Sequence, residues 1–342
     1  MTTEFSSLPM VDLTPLSQNP LFTGDLKDLS RQLDNVFTTT GFAYLTNAPL
    51  SFSHSEIFDL ARDLFDIPQQ EKMKQAKKIF CPSNTNTYRG YFPSQPGQSD
   101  NLKEGFEIGP ASPISEKVTP SKDYKVHLSE PNVWPPETVL PAEKRQQLEK
   151  LYTELQALSF RLLSLCATAL GKPEDWFSSW LDDSISTLRL LHYPPQPGTA
   201  TSLTSVNDQA GVSGVKLCCT PHTDSGILTL LHQDPTGGLE VLGASGEWIA
   251  APYIPESIVV NIGDLMAEVS GGRYLATLHR VRATTILGVG DSGLGRISVP
   301  FFFEPGEKCL VRSVNSDNEG VCYGEHVRAK MSTWIEFQDV GA

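Results

Sequence analysis

The sequence predicts a mainly β fold with a helical N-terminal part. Three observations carry this. From residue 186 onward, short runs rich in Val, Ile, Leu and Thr follow one another with Gly, Pro and Asp between them. That is the pattern of an antiparallel sandwich or barrel. Before these runs stands one long amphipathic helix. The 26 Gly and 25 Pro are spread along the 342 residues, which signals many turns and not one disordered tract.

In chain order, residues 9–14 (PMVDLT) read as a short strand. Leu26, Leu29, Leu33, Val36 and Phe37 recur at helical spacing over 25–39, and Gly41 ends that helix. Phe42–Leu45 reads as a strand and 53–66 as a second helix stopped by Pro68. Residues 78–100 are polar and rich in Pro, Gly, Ser and Asn, and read as a long functional loop. The clearest helix is 141–171. Its Leu148, Leu151, Leu155, Leu158, Leu162 and Leu165 repeat at threes and fours, Pro141 suits the first turn and Gly171 the stop. The β runs are 186–193, 215–220, 227–232, 238–242, 247–250, 257–260, 273–288 and 296–303. The expected organisation is a single domain over 1–342, with a helical and mixed part at 1–180, a catalytic core at 181–305 and a C-terminal segment at 306–342.

The formal net charge is −13. Such a surface repels phosphate backbones, so nucleic acid is not an expected partner. No apolar run is long enough to span a bilayer, and the N-terminus lacks a secretory pattern. Six cysteines without a CxxC suggest neither a zinc site nor a disulfide framework. A reducing, cytoplasmic setting is the simplest reading.

The chemistry lies in three residues. His222-Thr223-Asp224 precedes the apolar run Ile227–Leu231, and residues i and i+2 of a strand point to one face. His279 follows 55 residues after Asp224, at the end of a strand-like Tyr274–Leu278. Two imidazoles and a carboxylate on one side of an ion make the facial triad of non-haem Fe(II) oxygenases, with positions left open. A lone His-X-Asp arises often by chance, and His232 is a rival ligand that reads better as a strand-end residue. Further support comes from Arg296, Ser298, Pro300 and Phe302, which alternate along one strand and so face one way. A guanidinium and a hydroxyl two residues apart suit a carboxylate. Arg189, Leu191 and Tyr193 share a face in the same manner, so Tyr193 is placed to donate to that anion.

At this point the chain resembles the isopenicillin N synthase-like family of 2-oxoglutarate/Fe(II)-dependent dioxygenases. The carrying blocks are PHTDSGILTLLHQDPTGGLEV, GEWIAAPYIPESIVVNIGDLM, SGGRYLATLHRV and RISVPFFFEP, with LPMVDL, TTTGFAYLTNAPLS, DLFDIPQQEKMK, RGYF, KEGFEIG and LRLLHYPP before them. The resemblance runs from about residue 8 to 305. It implies a double-stranded β-helix, or jelly roll, braced by the long helix. It implies His222, Asp224 and His279 as iron ligands, Arg296 and Ser298 with Tyr193 as binders of the distal 2-oxoglutarate carboxylate, and Phe302 as a substrate-packing aromatic. The implied cofactors are Fe(II), 2-oxoglutarate as cosubstrate and dioxygen, with ascorbate as a stimulant. The reaction would be hydroxylation, desaturation or cyclisation at an unactivated C–H of a small molecule, in a secondary-metabolite pathway, by a monomer. Tyr88, Arg89, Tyr91 and Phe106 are candidates for a pocket roof over 78–106, and Arg189 for the barrel mouth. The sequence departs from the family's pattern at Leu191, where many relatives have Asn, and in the longer turn between His279 and Arg296.

Two other readings stay open from sequence. One is an Fe(II) oxidase of the isopenicillin N synthase type, which uses no 2-oxoglutarate and in which a C-terminal glutamine reaches iron. Gln338 lies in that region, in surroundings unlike that tail. The other is a non-catalytic small-molecule-binding protein on the same scaffold.

Overall fold

The computed structural model describes residues 7–18, 23–94, 103–111, 124–194, 217–283, 295–315 and 320–331. The N-terminal part holds β1 (Met10–Asp12), α1 (Thr23–Thr39), β2 (Phe42–Thr46), α2 (His54–Phe65) and α3 (Gln69–Met73). Then come β3 (Gly90–Phe92), β4 (Glu104–Ile108) and the long α4 (Ala142–Ala169). The core continues with β5 (Thr187–Tyr193), β6 (Leu217–His222), β7 (Leu228–Gln233), β8 (Leu239–Leu242), β9 (Trp248–Ala250) and β10 (Ile258–Ile262). After them come α5 (Asp264–Val269), β11 (His279–Arg282) and β12 (Arg296–Phe303). The short β13 (Leu310–Val311) and β14 (Val321–Cys322) and α6 (Tyr323–Met331) complete the order.

The helices form where the sequence places them. α2 starts in a capping box: the Ser53 hydroxyl accepts from the Glu56 amide, and the Glu56 carboxylate accepts from the Ser53 amide at 2.8 Å. α4 buries Leu148, Leu151, Leu155, Leu158 and Leu162 on one stripe. Proline begins it, and Gly171 follows its end at a φ of +72°.

Two sheets face each other, as in a jelly roll. The larger runs β1-β2-β10-β7-β12-β5-β4-β3 and the smaller β6-β11-β8-β9. Every pairing in them is antiparallel except β1 with β2. The faces of the large sheet divide the interior into two cores. Ile297, Val299, Phe301 and Phe303 of β12 pack with Leu188, Leu190 and the leucines of α2 and α4. Phe42, Tyr44, Phe92, Leu191, Tyr193 and Val259 pack instead with Cys218, Leu239, Val241 and Val281 of the small sheet. The expected alternation of Arg296, Ser298, Pro300 and Phe302 is therefore correct. These four take the face toward the small sheet, because their neighbours fill the helix side.

Three expectations differ from the structure. The 273–288 run is strand only at His279–Arg282, and 284–288 lie outside the described residues. Tyr274–Leu278 is irregular because its groups bond back to the α1–β2 region. The Leu275 amide donates to the Phe37 carbonyl, and the Thr277 hydroxyl to that of Thr40. His279 thus begins a strand and does not end one. The 78–100 loop contains β3. The C-terminal segment, without a recognisable motif, holds α6, whose Tyr323 hydroxyl donates to buried Glu304 at 2.7 Å.

Candidate metal centre and anion pocket

His222 ends β6, His279 begins β11, and the two are antiparallel partners in register. Their rings therefore lie side by side, with centroids 4.3 Å apart. Asp224 lies two residues past the end of β6. Its backbone carbonyl accepts from the Asp264 amide at 2.7 Å, which bends the chain back over the histidines. Asp224 Oδ1 stands 3.6 Å from His279 Nε2 and 3.8 Å from His222 Nε2. One donor atom from each residue lies within 4.8 Å of the others, a cluster able to hold a metal ion.

The orientation of each group is fixed from behind. His222 Nδ1 faces the Thr220 carbonyl at 2.8 Å, and His279 Nδ1 the Thr277 carbonyl at 3.2 Å. A carbonyl only accepts, so Nδ1 carries a proton in each ring, and Nε2 is the nitrogen that faces Asp224 and would offer its lone pair to a metal. Asp224 Oδ2 accepts from the Thr229 hydroxyl at 2.5 Å and the Asn261 amide at 2.8 Å, which leaves Oδ1 for the centre. Phe42 sits edge-on to His279 at 5.3 Å. Burial alone would raise the Asp224 carboxyl, but His279, His222, Asn261 and Thr229 outweigh it and hold its pKa below the usual value. Burial lowers His279, against the pull of Asp224. An ionised carboxylate and imidazole nitrogens are the donor set of a borderline divalent metal such as Fe(II).

A second feature lies on β12. Arg296 is 4% exposed, and its Nε donates to the Gly237 carbonyl at 2.7 Å. Both of its terminal nitrogens are buried without a hydrogen-bond partner among the described residues. The guanidinium is stacked on the Tyr193 ring at 4.8 Å. Ser298, the next residue on that face, lies opposite Leu191 and Gln233. A buried cation with two idle donors is costly unless a ligand takes them. A carboxylate fits, since it accepts from both nitrogens at once.

The other expected site residues divide between the two faces. Phe302 and Arg189 point between the sheets. Phe302 is half-buried and lies opposite Thr229, the residue that holds Asp224, and the Arg189 guanidinium covers its ring at 5.2 Å. Arg189 also pairs with buried Glu107, which pairs in turn with Lys77. Tyr88, Tyr91 and Phe106 are at most 3% exposed and belong to the helix-side core, and Arg89 is fully buried against the start of β5. Arg89 donates to Thr187 Oγ1 at 2.6 Å and to the Ile185 carbonyl at 2.7 Å. Tyr91 donates to Glu104 at 2.6 Å, and Phe106 lies against Trp134. On β3 it is Phe92, next to Tyr91, that faces the small sheet. His232 also takes the helix side, against the His54 ring at 5.3 Å, and is not a ligand of the triad. Gln338 lies outside the described residues. Sequence reasoning missed Thr229, Asn261 and Phe92. Asn261, a lone amide in the apolar run IVVNI, was the readable signal.

Fold and donor set together define a non-haem metal-dependent oxygenase. Known proteins agree. The family model for the 2OG-Fe(II) oxygenase superfamily matches residues 184–305. That for the N-terminal region of non-haem dioxygenases in morphine synthesis matches residues 8–137. A 2-oxoglutarate-dependent dioxygenase of Didymella fabae is 35% identical over 289 residues, 82% of this chain and 82% of that one. A homoarginine-6-hydroxylase of Glycine max is 29% identical, covering 97% of this chain and 98% of the relative. A full-length Neurospora crassa protein, solved in complex with alpha-KG and 5-formyluracil, aligns at a TM-score of 0.73 and 25% identity, over 95% of this chain and 96% of that one. The chain belongs to the 2-oxoglutarate- and Fe(II)-dependent dioxygenases, and is an oxidoreductase that uses both.

Proposed function

We propose that His222, Asp224 and His279 hold the Fe(II), and that Arg296 and Ser298, with Tyr193 stacked alongside, take the far carboxylate of 2-oxoglutarate. The enzyme then oxidises an unactivated C–H of a small organic molecule in secondary metabolism. The single observation that carries this reading is the pairing of a converged two-nitrogen, one-oxygen donor set with a buried guanidinium whose two terminal nitrogens lack hydrogen-bond partners among the described residues. Fungal relatives named as 2-oxoglutarate-dependent dioxygenases support it. The acidic net charge of −13 weighs against a nucleic-acid substrate. Among the described residues no helix is long and apolar enough to cross a membrane. A monomer requires nothing beyond the site residues of one chain.

When bound, iron and 2-oxoglutarate supply the oxidation: with dioxygen, 2-oxoglutarate goes to succinate and carbon dioxide while a substrate C–H is oxidised. The protein's part is positioning and dryness. Thr220 and Thr277 fix the imidazole tautomers, and Thr229 and Asn261 fix the carboxylate. Arg296 orients the cosubstrate from the far end. Leu191, Val241 and Val259 line the space between the sheets with apolar groups and exclude water. Phe302, opposite the Thr229 that holds Asp224, and Arg189 over its ring are placed to pack and orient the substrate.

The test is an anaerobic titration of apoprotein with Fe(II), then 2-oxoglutarate, followed by visible absorption. A weak charge-transfer band that requires both additions, and is lost in His279→Ala, is the expected result. Iron uptake without a band would move the protein to an oxidase that dispenses with 2-oxoglutarate. No iron uptake would leave a binding protein on this scaffold.

A further inference from the structure

Arg296 on β12, Tyr193 on β5 and Lys103, the residue just before β4, form one row. Arg296 on β12 is the register partner of Tyr193 on β5, and Glu104 on β4 is the partner of His192 on β5. One step back from Glu104 brings Lys103 level with Tyr193. The two residues leave the sheet on opposite sides. Glu104 takes the helix side, where it accepts from Lys72 at 2.8 Å and Tyr91 at 2.6 Å and meets His192 Nδ1 at 2.7 Å. Alternation then turns Lys103 toward the small sheet. There its Nζ lies 3.7 Å from Cys219 Sγ, and that sulfur lies 3.7 Å from His222 Nδ1. The Lys103 side chain therefore reaches from the large sheet to Cys219 of the small one, next to the triad's His222. It is 9% exposed. Leu191, which stands between Ser298 and Gly105 on this face, offers no polar atom.

We infer that Lys103 is a second cation of the 2-oxoglutarate pocket, and that it positions the far carboxylate together with Arg296. This rests on the proposed site reading. Arg296 presents two donors in a plane from β12. Lys103 adds a rotatable ammonium from the residue before β4, on the other side of Tyr193, where Leu191 contributes none. Tyr193 feels both: burial raises its hydroxyl, while Lys103 and Arg296 pull it down. A dicarboxylate held by a bidentate guanidinium and also by an ammonium beyond Tyr193 is held from two directions.

The experiment is calorimetric titration of 2-oxoglutarate into protein loaded with Mn(II) in place of iron, without oxygen turnover. Lys103→Met is expected to weaken binding about tenfold, the usual cost of one charge-assisted hydrogen bond. Lys103→Arg is expected to recover most of that loss, and Mn(II) affinity is expected to stay at the wild-type value in both. A role in folding alone would move melting temperature and metal uptake instead. Binding of 2-oxoglutarate by Lys103→Met within twofold of wild type would overturn the inference. So would loss of Mn(II) uptake in both Lys103→Met and Lys103→Gln, since Lys103 would then serve the fold and not the ligand. If wild type takes Mn(II) but no 2-oxoglutarate, the site reading itself fails, and that result needs no variant.

Discussion

Removing the groups that hold Asp224 from behind should weaken metal binding without touching a ligand. Asp224 Oδ2 accepts from Thr229 at 2.5 Å and Asn261 at 2.8 Å. Both donors come from adjacent strands of the large sheet, β7 and β10, where they are register partners. Hydrogen bonds to a charged acceptor contribute about 1.5–3 kcal/mol each. Part of that keeps Oδ1 aimed at the two Nε2 atoms. Loss of such an outer partner costs about 10–100-fold in metal affinity. Asn261→Ala is therefore expected to weaken Mn(II) binding about tenfold, and Asn261→Ala with Thr229→Val about a hundredfold. The assay is the free Mn(II) signal in electron paramagnetic resonance across a titration. His232→Gln is the control. It sits on the same strand, β7, but faces α2, so it should change stability and leave Mn(II) affinity unchanged. If the double variant binds Mn(II) within threefold of wild type, Asp224 is not oriented by these groups and the argument fails.

Arg296→Met is expected to weaken 2-oxoglutarate binding by at least about a hundredfold, since two charge-assisted hydrogen bonds are lost, while Mn(II) affinity is unchanged. Calorimetry on the Mn(II) protein checks this. Arg89→Met is expected to cost about 3 kcal/mol of stability in urea, because it removes buried charge-assisted hydrogen bonds to Thr187 Oγ1 and to the Ile185 and Ser186 carbonyls. It should not change the KM for 2-oxoglutarate, and a selective KM effect would return Arg89 to the pocket. Burial would raise the Glu104 carboxyl, but His192, Lys72 and Tyr91 hold its pKa down to about 2. A depressed carboxyl stabilises the fold above its unfolded pKa, and that contribution is lost as pH falls toward the folded value. Wild type should therefore lose about 3 kcal/mol relative to Glu104→Gln between pH 5 and pH 2. Equal acid slopes for the two proteins, measured by urea unfolding, would refute it.

What was legible in the sequence follows from where information is local. The β runs after residue 186 were readable because hydrophobic pattern is a local property, and α4 because its leucine stripe is long. The triad was readable from residue identity, but the reason offered for its convergence was incomplete. Strand alternation would put His222 and Asp224 on one face, yet β6 ends at His222. Asp224 is brought in by a turn, through the Asp264 amide behind its carbonyl and Thr229 and Asn261 behind its carboxylate. Thr229 and Asn261 lie 5 and 37 residues away, inside apolar runs where a Thr reads as filler and only the lone amide of Asn261 stands out. The sides taken by Tyr91 and Phe92 were not legible for a different reason. β3 has three residues, too few for alternation to show, so nothing local separates Tyr91 from Phe92. Only pairing with β4 decides it, because Tyr91 opposite Phe106 shares that residue's helix-facing side. Phe92 is then set opposite Gly105, where an added Cβ would lie 2.3 Å from its ring. The absence of a side chain at Gly105 is thus what lets an aromatic ring enter the space between the sheets, and substitution there should disturb the substrate side before it disturbs the metal.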